Sequence, residues 1–237
     1  MTLPLVGGLR VTELPSPNHD PRPDGTAVDM IVLHYTGMRS GAEALTRLRD
    51  PAAVVSSHYL VEEDGEIFRL VPEDRRARHA GTSSWRGREA LNAHSIGIEI
   101  VNPGHEWGYR DFPALQMGAV AELCLDILAR RPGIEPRNVV AHSDIAPDRK
   151  QDPGERFDWR GLASLGIGVW PRRDGAAKGD PLTLLGRIGY RTDLPLPVLV
   201  SAFQRHWRPE RVDGVADSAT LARMNGLLSA LGLARRA

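Results

Sequence analysis

Two short apolar runs in this chain each end on a histidine, and such runs fold most readily as buried strands that deliver imidazoles to one edge of a sheet. Met30-Ile31-Val32-Leu33 leads into His34-Tyr35-Thr36 before Gly37, and Val139-Val140-Ala141 leads into His142. Between them, Ile96-Gly97-Ile98-Glu99-Ile100-Val101 alternates, which predicts a strand with three isoleucines on one face and Glu99 on the other. Tyr59 to Val61 and Ile67 to Val71 flank an Asp64-Gly65 turn and predict a hairpin. Helical spacing appears around Ala42 to Leu48 and, most clearly, from Pro113 to Arg131. There Leu115, Ala119, Val120, Leu123, Cys124, Ile127 and Leu128 share a face and Pro132-Gly133 forms the stop. Strands interleaved with helices indicate an α/β fold with polar residues gathered at one sheet edge.

The flanking segments read differently. Pro15, Pro17, Pro21 and Pro23 predict that residues 1–27 run as an extended surface arm. A Gly/Pro/Arg-rich stretch follows Asp152-Pro153-Gly154, and its 174–180 segment reads as a linker. The expected organisation is a catalytic unit over 1–178, arm included, and a small three-helix unit over 179–237, with a boundary near 178. Thirty basic and thirty acidic residues give zero net formal charge, which disfavours a nucleic-acid partner. Residues 1–8 lack the basic and apolar regions of a leader, and no stretch is long enough to span a bilayer. Those features, with Cys124 as the single cysteine and a core thiol, lead us to expect a cytoplasmic chain without membrane insertion.

Two histidines and a carboxylate are a standard three-ligand zinc set that leaves one position open for water. His34 and His142 supply the imidazoles, and Asp152, ten positions beyond His142 and before Pro153-Gly154, supplies the carboxylate. Amide cleavage also needs a proton shuttle and a partner for the tetrahedral oxyanion. Glu99, on the non-isoleucine side of its strand, fits the first need. Lys150, two residues before Asp152 and on the same side of an extended segment, fits the second. Read singly, each has a plainer alternative: a loop-bonding histidine, an edge-strand carboxylate, a solvated lysine.

At these residues the sequence resembles the N-acetylmuramoyl-L-alanine amidase family, the zinc amidases related to T7 lysozyme and peptidoglycan recognition proteins. Val32-Leu33-His34-Tyr35-Thr36, Ser57-His58-Tyr59-Leu60-Val61 through Asp64-Gly65, His79-Ala80-Gly81, Leu91-Asn92, Ser95-Ile96-Gly97-Ile98-Glu99 and Lys150-Gln151-Asp152-Pro153-Gly154 stand in family order over about residues 28–160. The resemblance implies a mixed central β-sheet flanked by helices, zinc on His34, His142 and Asp152, Glu99 as the catalytic carboxylate and Lys150 as the transition-state lysine. Some relatives use a tyrosine where others use the glutamate, and this chain resembles the glutamate type. The implied reaction cleaves the amide between the lactyl group of N-acetylmuramic acid and L-alanine, so the implied partners are muropeptides or peptidoglycan, bound by a monomer.

For substrate contacts, Trp85 is expected to stack on a sugar, Arg88 to clamp a carboxylate and Asn92 to bond the stem peptide. Their structural alternatives are a lid-packing tryptophan, a surface arginine and a loop-capping asparagine. His58 and His79 are spare metal-ligand candidates whose alternative is to support a ligand from behind or simply to pack. The C-terminal unit resembles a peptidoglycan-binding domain through Ala202-Phe203-Gln204-Arg205, Val212 to Asp217 and Thr220-Leu221. Two rival functions remain at this point: a recognition module without metal, and a zinc peptidase cutting within the stem peptide. Monomeric 1,6-anhydro-muropeptide, in wall recycling, is the expected substrate form, with a periplasmic location and intact sacculus as the alternative.

Overall fold

The apolar run at Met30 extends through the histidine it was expected to end on, forming the strand β3 (Met30–Tyr35) in a computed structural model that describes residues 9–233. In chain order the other strands are β1 (Val11–Glu13), β2 (His19–Pro21), β4 (Tyr59–Val61), β5 (Ile67–Arg69), β6 (Arg75–Ala77), β7 (Ser84–Trp85), β8 (Arg88–Glu89), β9 (Ser95–Ile100) and β10 (Val139–Ala141). The helices are α1 (Gly41–Arg49), α2 (Gly104–Trp107), α3 (Ala114–Arg130), α4 (His142–Ile145), α5 (Trp159–Ser164), α6 (Pro181–Ile188), α7 (Leu196–Trp207) and α8 (Ser218–Ala230). The main sheet has the order β1-β5-β4-β9-β3-β10, and only β4 and β5, the predicted hairpin, pair antiparallel. The mixed α/β architecture is therefore the expected one.

Alternation assigns the two faces of the sheet. Ile31, Leu33, Ile96, Ile98 and Ile100 join Val120, Leu123, Cys124 and Ile127 of α3 in one core. Met30 and Val32 point the other way and pack with Val140, Leu185, Leu199, Phe203 and Leu227, so α6 to α8 cover the second face. Helices α6 to α8 pack with one another, and their apolar side is continuous with the sheet. The 174–180 segment expected as a linker lies against α8, where Gly175 N donates to Ala222 O at 2.8 Å and Asn225 Nδ2 donates to Ala176 O and Lys178 O at 2.9 Å.

The N-terminal arm is more than a surface strap. Residues 1–8 of that expectation lie outside the described residues, but Val11–Glu13 adds a parallel edge strand to β5, and His19–Pro21 pairs antiparallel with β6. Arg22 then reaches inward and donates to the carbonyls of Glu73, Asn92, Ala93 and Ser95 at 2.6–3.1 Å. An arginine that satisfies so many backbone acceptors fixes the arm in place. Burial and neighbouring Arg131 lower its pKa to about 10.

Candidate metal centre

Parallel register brings the chemistry together. His34 aligns with Glu99 across β3 and β9, and Ala141 aligns with Leu33 across β10 and β3, so His142 follows beside His34 at the carboxyl ends of the strands. Ligands commonly gather at this edge of a parallel sheet, because side chains beyond the strand ends line a crevice. His142 opens the single-turn helix α4. Its neighbour Ser143 donates its backbone N–H to Asp152 O at 2.9 Å, folding the loop back so that the carboxylate returns to the histidines. Tyr109 Oη donates to Pro153 O at 2.8 Å and holds the far side of that turn, whose Asp152–Pro153 peptide is cis.

His34 Nδ1, His142 Nδ1 and Asp152 Oδ2 stand 2.9, 3.1 and 3.0 Å apart as a closed triangle, and all three residues are buried. The surrounding hydrogen bonds determine which nitrogens carry protons. His142 Nε2 is 3.2 Å from Ala80 O, an acceptor, so Nε2 bears the proton and Nδ1 is bare. Ser95 Oγ donates to Leu91 O at 2.6 Å and lies 3.2 Å from His79 Nε2, so His79 Nε2 donates to Ser95 and His79 Nδ1 is an acceptor. His34 Nε2, 3.0 Å from that Nδ1, must then donate, leaving His34 Nδ1 bare as well.

Two unprotonated ring nitrogens facing each other beside a carboxylate oxygen repel unless a cation lies among them. Zinc bonded to nitrogen and oxygen at about 2.0–2.2 Å needs donors separated by about 3.3 Å, within a few tenths of the observed triangle. The residues therefore fit a zinc ion. Among the described residues they form the one cluster of its kind.

Electrostatics agrees with that use. Burial, above all, lowers His34 to a pKa of about 4, so it is neutral at physiological pH as a metal ligand must be. Asp152 is opposed by burial, but the two imidazoles packed against its Oδ2 outweigh this and hold the carboxyl far below its usual range, so it stays an anionic donor. Glu99 behaves oppositely. Burial and the nearby Asp152 charge raise it well above 4.5, and its Oε2 is buried without a hydrogen-bond partner. Lys150 lines the same cavity, of about 450 Å³, and its charge acts on both Glu99 and His34. The structure thus brings together His34, His142, Asp152, Glu99 and Lys150.

Trp85, Arg88 and Asn92 require correction, because none of them lines this cavity. Trp85 is only 2% exposed, stands edge-on to Tyr190 at 5.2 Å and donates Nε1–H to Arg137 O, so no sugar can reach its face. Arg88 Nη1 donates to both carboxylate oxygens of Asp29 at 2.7 and 2.8 Å, which holds the side chain beside a different cavity that Asp29 and Asn138 also line. Asn92 Oδ1 accepts the backbone N–H groups of His79 and Ala80 at 3.0 and 2.8 Å, which anchors the segment bearing His79. In each case the structural alternative describes the side chain. Nor do the spare histidines join the triangle: His79 fixes the His34 proton, and His58 Nδ1 accepts the Gly97 N–H at 3.0 Å. Sequence reasoning did not assign His79 its orienting role. Gly97 was the available signal, because a Cβ there would lie 2.4 Å from the His79 ring.

This sheet edge and its triangle of donors define a candidate metal site of the open, three-ligand kind that serves hydrolysis. A family profile described as N-acetylmuramoyl-L-alanine amidase matches residues 24–155, and the chain belongs to that family. It is 40% identical over 235 residues to the N-acetylmuramoyl-L-alanine amidase AmiD of Escherichia coli K12, an alignment covering 86% of this chain and 84% of that protein. It is 41% identical over 172 residues to the 1,6-anhydro-N-acetylmuramyl-L-alanine amidase AmpD of the same organism, covering 65% and 90%. Among solved structures, E. coli AmiD in complex with anhydro-N-acetylmuramic acid-L-Ala-D-γ-Glu-L-Lys superposes with a TM-score of 0.78 at 38% identity, covering 89% of this chain and 93% of that one. AmpDH3 of Pseudomonas aeruginosa with anhydromuramic pentapeptide gives a TM-score of 0.77 at 36% identity, covering 87% and 93%.

Proposed function

We propose that this chain is a zinc-dependent amidase that hydrolyses the bond between the lactyl carbonyl of N-acetylmuramic acid, its 1,6-anhydro form included, and L-alanine of the stem peptide. The observation that carries the reading is the triangle of bare Nδ1, bare Nδ1 and carboxylate oxygen, with an unpartnered carboxyl group aligned across the neighbouring strand. Zinc held by His34, His142 and Asp152 would supply a water acidified to a pKa of about 7 and a Lewis acid for the carbonyl.

The chain's own residues do the rest. Glu99, whose burial favours the protonated form, accepts a proton from the attacking water and passes it to the leaving alanine nitrogen. A carboxyl with a raised pKa is a stronger base once ionised and a usable acid near neutral pH, so one group serves both directions. The Lys150 ammonium stands where it can offset negative charge growing on the carbonyl oxygen. His79, through its bond to His34 Nε2, keeps that ring in the tautomer that presents Nδ1.

In this reading the enzyme acts as a cytoplasmic monomer on recycled muropeptides. The similarity to two proteins whose names or ligands specify the anhydro sugar supports that substrate form. Among the described residues no helix is long and apolar enough to cross a membrane.

The test combines metal analysis with product identification. Protein purified without chelator should hold one zinc per chain and release an intact peptide beginning with L-alanine from a defined anhydro-muropeptide, read by mass spectrometry. Zinc content near zero with full muropeptide binding would make the chain a recognition module, and shorter peptides would make it a peptidase. Turnover of intact sacculus with none of the anhydro-muropeptide would refute the recycling assignment.

A further inference from the structure

The helix that carries His142 is held by the C-terminal unit. Asp144, in α4 and 1% exposed, caps its own helix by accepting the Ala141 N–H on Oδ2 at 2.8 Å. That same oxygen accepts from His206 Nδ1 at 2.7 Å, and Oδ1 accepts from Tyr190 Oη. Both outside donors belong to the helical unit: Tyr190 follows α6, and His206 lies in α7. Neither is free to drift. The His206 ring is stacked between Trp159 at 3.8 Å and Trp207 at 3.6 Å, and Tyr190 lies edge-on to Trp85.

A buried carboxylate needs its hydrogen bonds, because desolvation without them costs more than most single contacts return. Asp144 obtains one donor from its own segment and two from the C-terminal unit. The consequence reaches the metal. α4 is a single turn that begins on His142, and through Ser143 N to Asp152 O it also positions the third ligand. A displacement of α4 therefore moves two of the three donor atoms at once.

We infer that Tyr190 and His206 are positioning residues for the metal centre, so that the C-terminal helical unit acts as a brace for the site besides any wall-binding role. The inference rests on the zinc reading above. Outer contacts that orient metal ligands typically change affinity by about 10–100-fold, and contacts one group further out belong at the lower end.

Two variants test it in the full-length protein. Tyr190→Phe deletes one oxygen, and His206→Phe keeps an aromatic ring between the two tryptophans without a donor. Met224→Ala, in the buried core of α8 away from the site, controls for general destabilisation. The measurements are the zinc dissociation constant by chelator competition and the melting temperature. Each of the first two variants should weaken zinc roughly 10-fold. Met224→Ala should lower the melting temperature while zinc affinity stays within about two-fold.

Unchanged zinc affinity in Tyr190→Phe, or an equal loss in Met224→Ala, would overturn the brace while leaving the metal site intact. A wild-type protein that binds no zinc would instead refute the metal reading, and the brace with it. If His206→Phe fails to fold, the milder Tyr190→Phe decides the question alone.

Discussion

Gly97→Ala should loosen the metal site without touching a single ligand. Gly97 sits in β9, and a Cβ built there meets the His79 ring at 2.4–2.6 Å, whereas ordinary contact begins near 3.4 Å. The ring must therefore retreat by about 1 Å, enough to break a hydrogen bond. It has nowhere to go without loss, because Nδ1 accepts from His34 at 3.0 Å and Nε2 donates to Ser95 Oγ at 3.2 Å. Overpacking a filled interior costs about 1–3 kcal/mol, and for a chain of this size that corresponds to roughly 2–12 °C in melting temperature.

The assay is thermal unfolding with and without zinc, alongside zinc titration. Gly133→Ala is the control, since nothing lies within 4 Å of a Cβ at that position. Its expected effect is neutral or a stabilisation of about 0.4–1 kcal/mol. A double variant with His79→Ala isolates the clash. If the Gly97 methyl acts through the ring, removing the ring makes the second substitution nearly free, and the two losses fall short of additivity by about 1 kcal/mol or more. Additive losses, or a Gly97→Ala protein with wild-type melting temperature and zinc affinity, would refute the account of His79 as the residue that fixes the His34 tautomer.

Glu99→Gln should retain zinc but lose about 10²–10⁴-fold in kcat, measured on a defined anhydro-muropeptide, and a near-normal rate would remove Glu99 as the proton shuttle. Asp152→Ala should lose both zinc and turnover, checked by metal analysis of the purified variant. In zinc-free protein, acidification should destabilise the fold, because burial and then the Arg22 charge lower His58 to a pKa of about 3. Below its ordinary pKa of about 6.5 the unfolded chain takes up a proton that the folded chain refuses, so stability falls by about 1.4 kcal/mol per pH unit from this group as pH drops toward 3. Denaturant midpoints between pH 7 and 4 that do not flatten in His58→Asn would count against that assignment. Trp85→Ala should cost about 3–5 kcal/mol of stability through lost packing, read by denaturant unfolding. A milder Trp85→Phe should leave KM unchanged, and a raised KM at normal stability would restore the sugar contact.

The residues that meet at the candidate metal site were readable from the chain because each has a local signature. A histidine closing an apolar run, a carboxylate before Pro153-Gly154 and an acidic residue on the polar face of an isoleucine strand are all consequences of strand period and turn chemistry. The same periodicity located α3 and the β4–β5 hairpin. Strand order carries no such signature. That β9 lies beside β3, and so sets Glu99 against His34, follows from burying two apolar faces at once.

Trp85, Arg88 and Asn92 show the limit most clearly: their side chains are suited to sugar and peptide, yet packing commits them to Tyr190, Asp29 and the His79 backbone. The sequence by itself determined which groups this protein has for binding a metal and moving a proton. Tertiary structure alone decided that His79 sets a tautomer and that the 174–180 segment lies on a helix. It also decided that Asp144 is tied to Tyr190 and His206. These are contacts between segments 16 to 62 residues apart, and through-space packing rather than local period sets them.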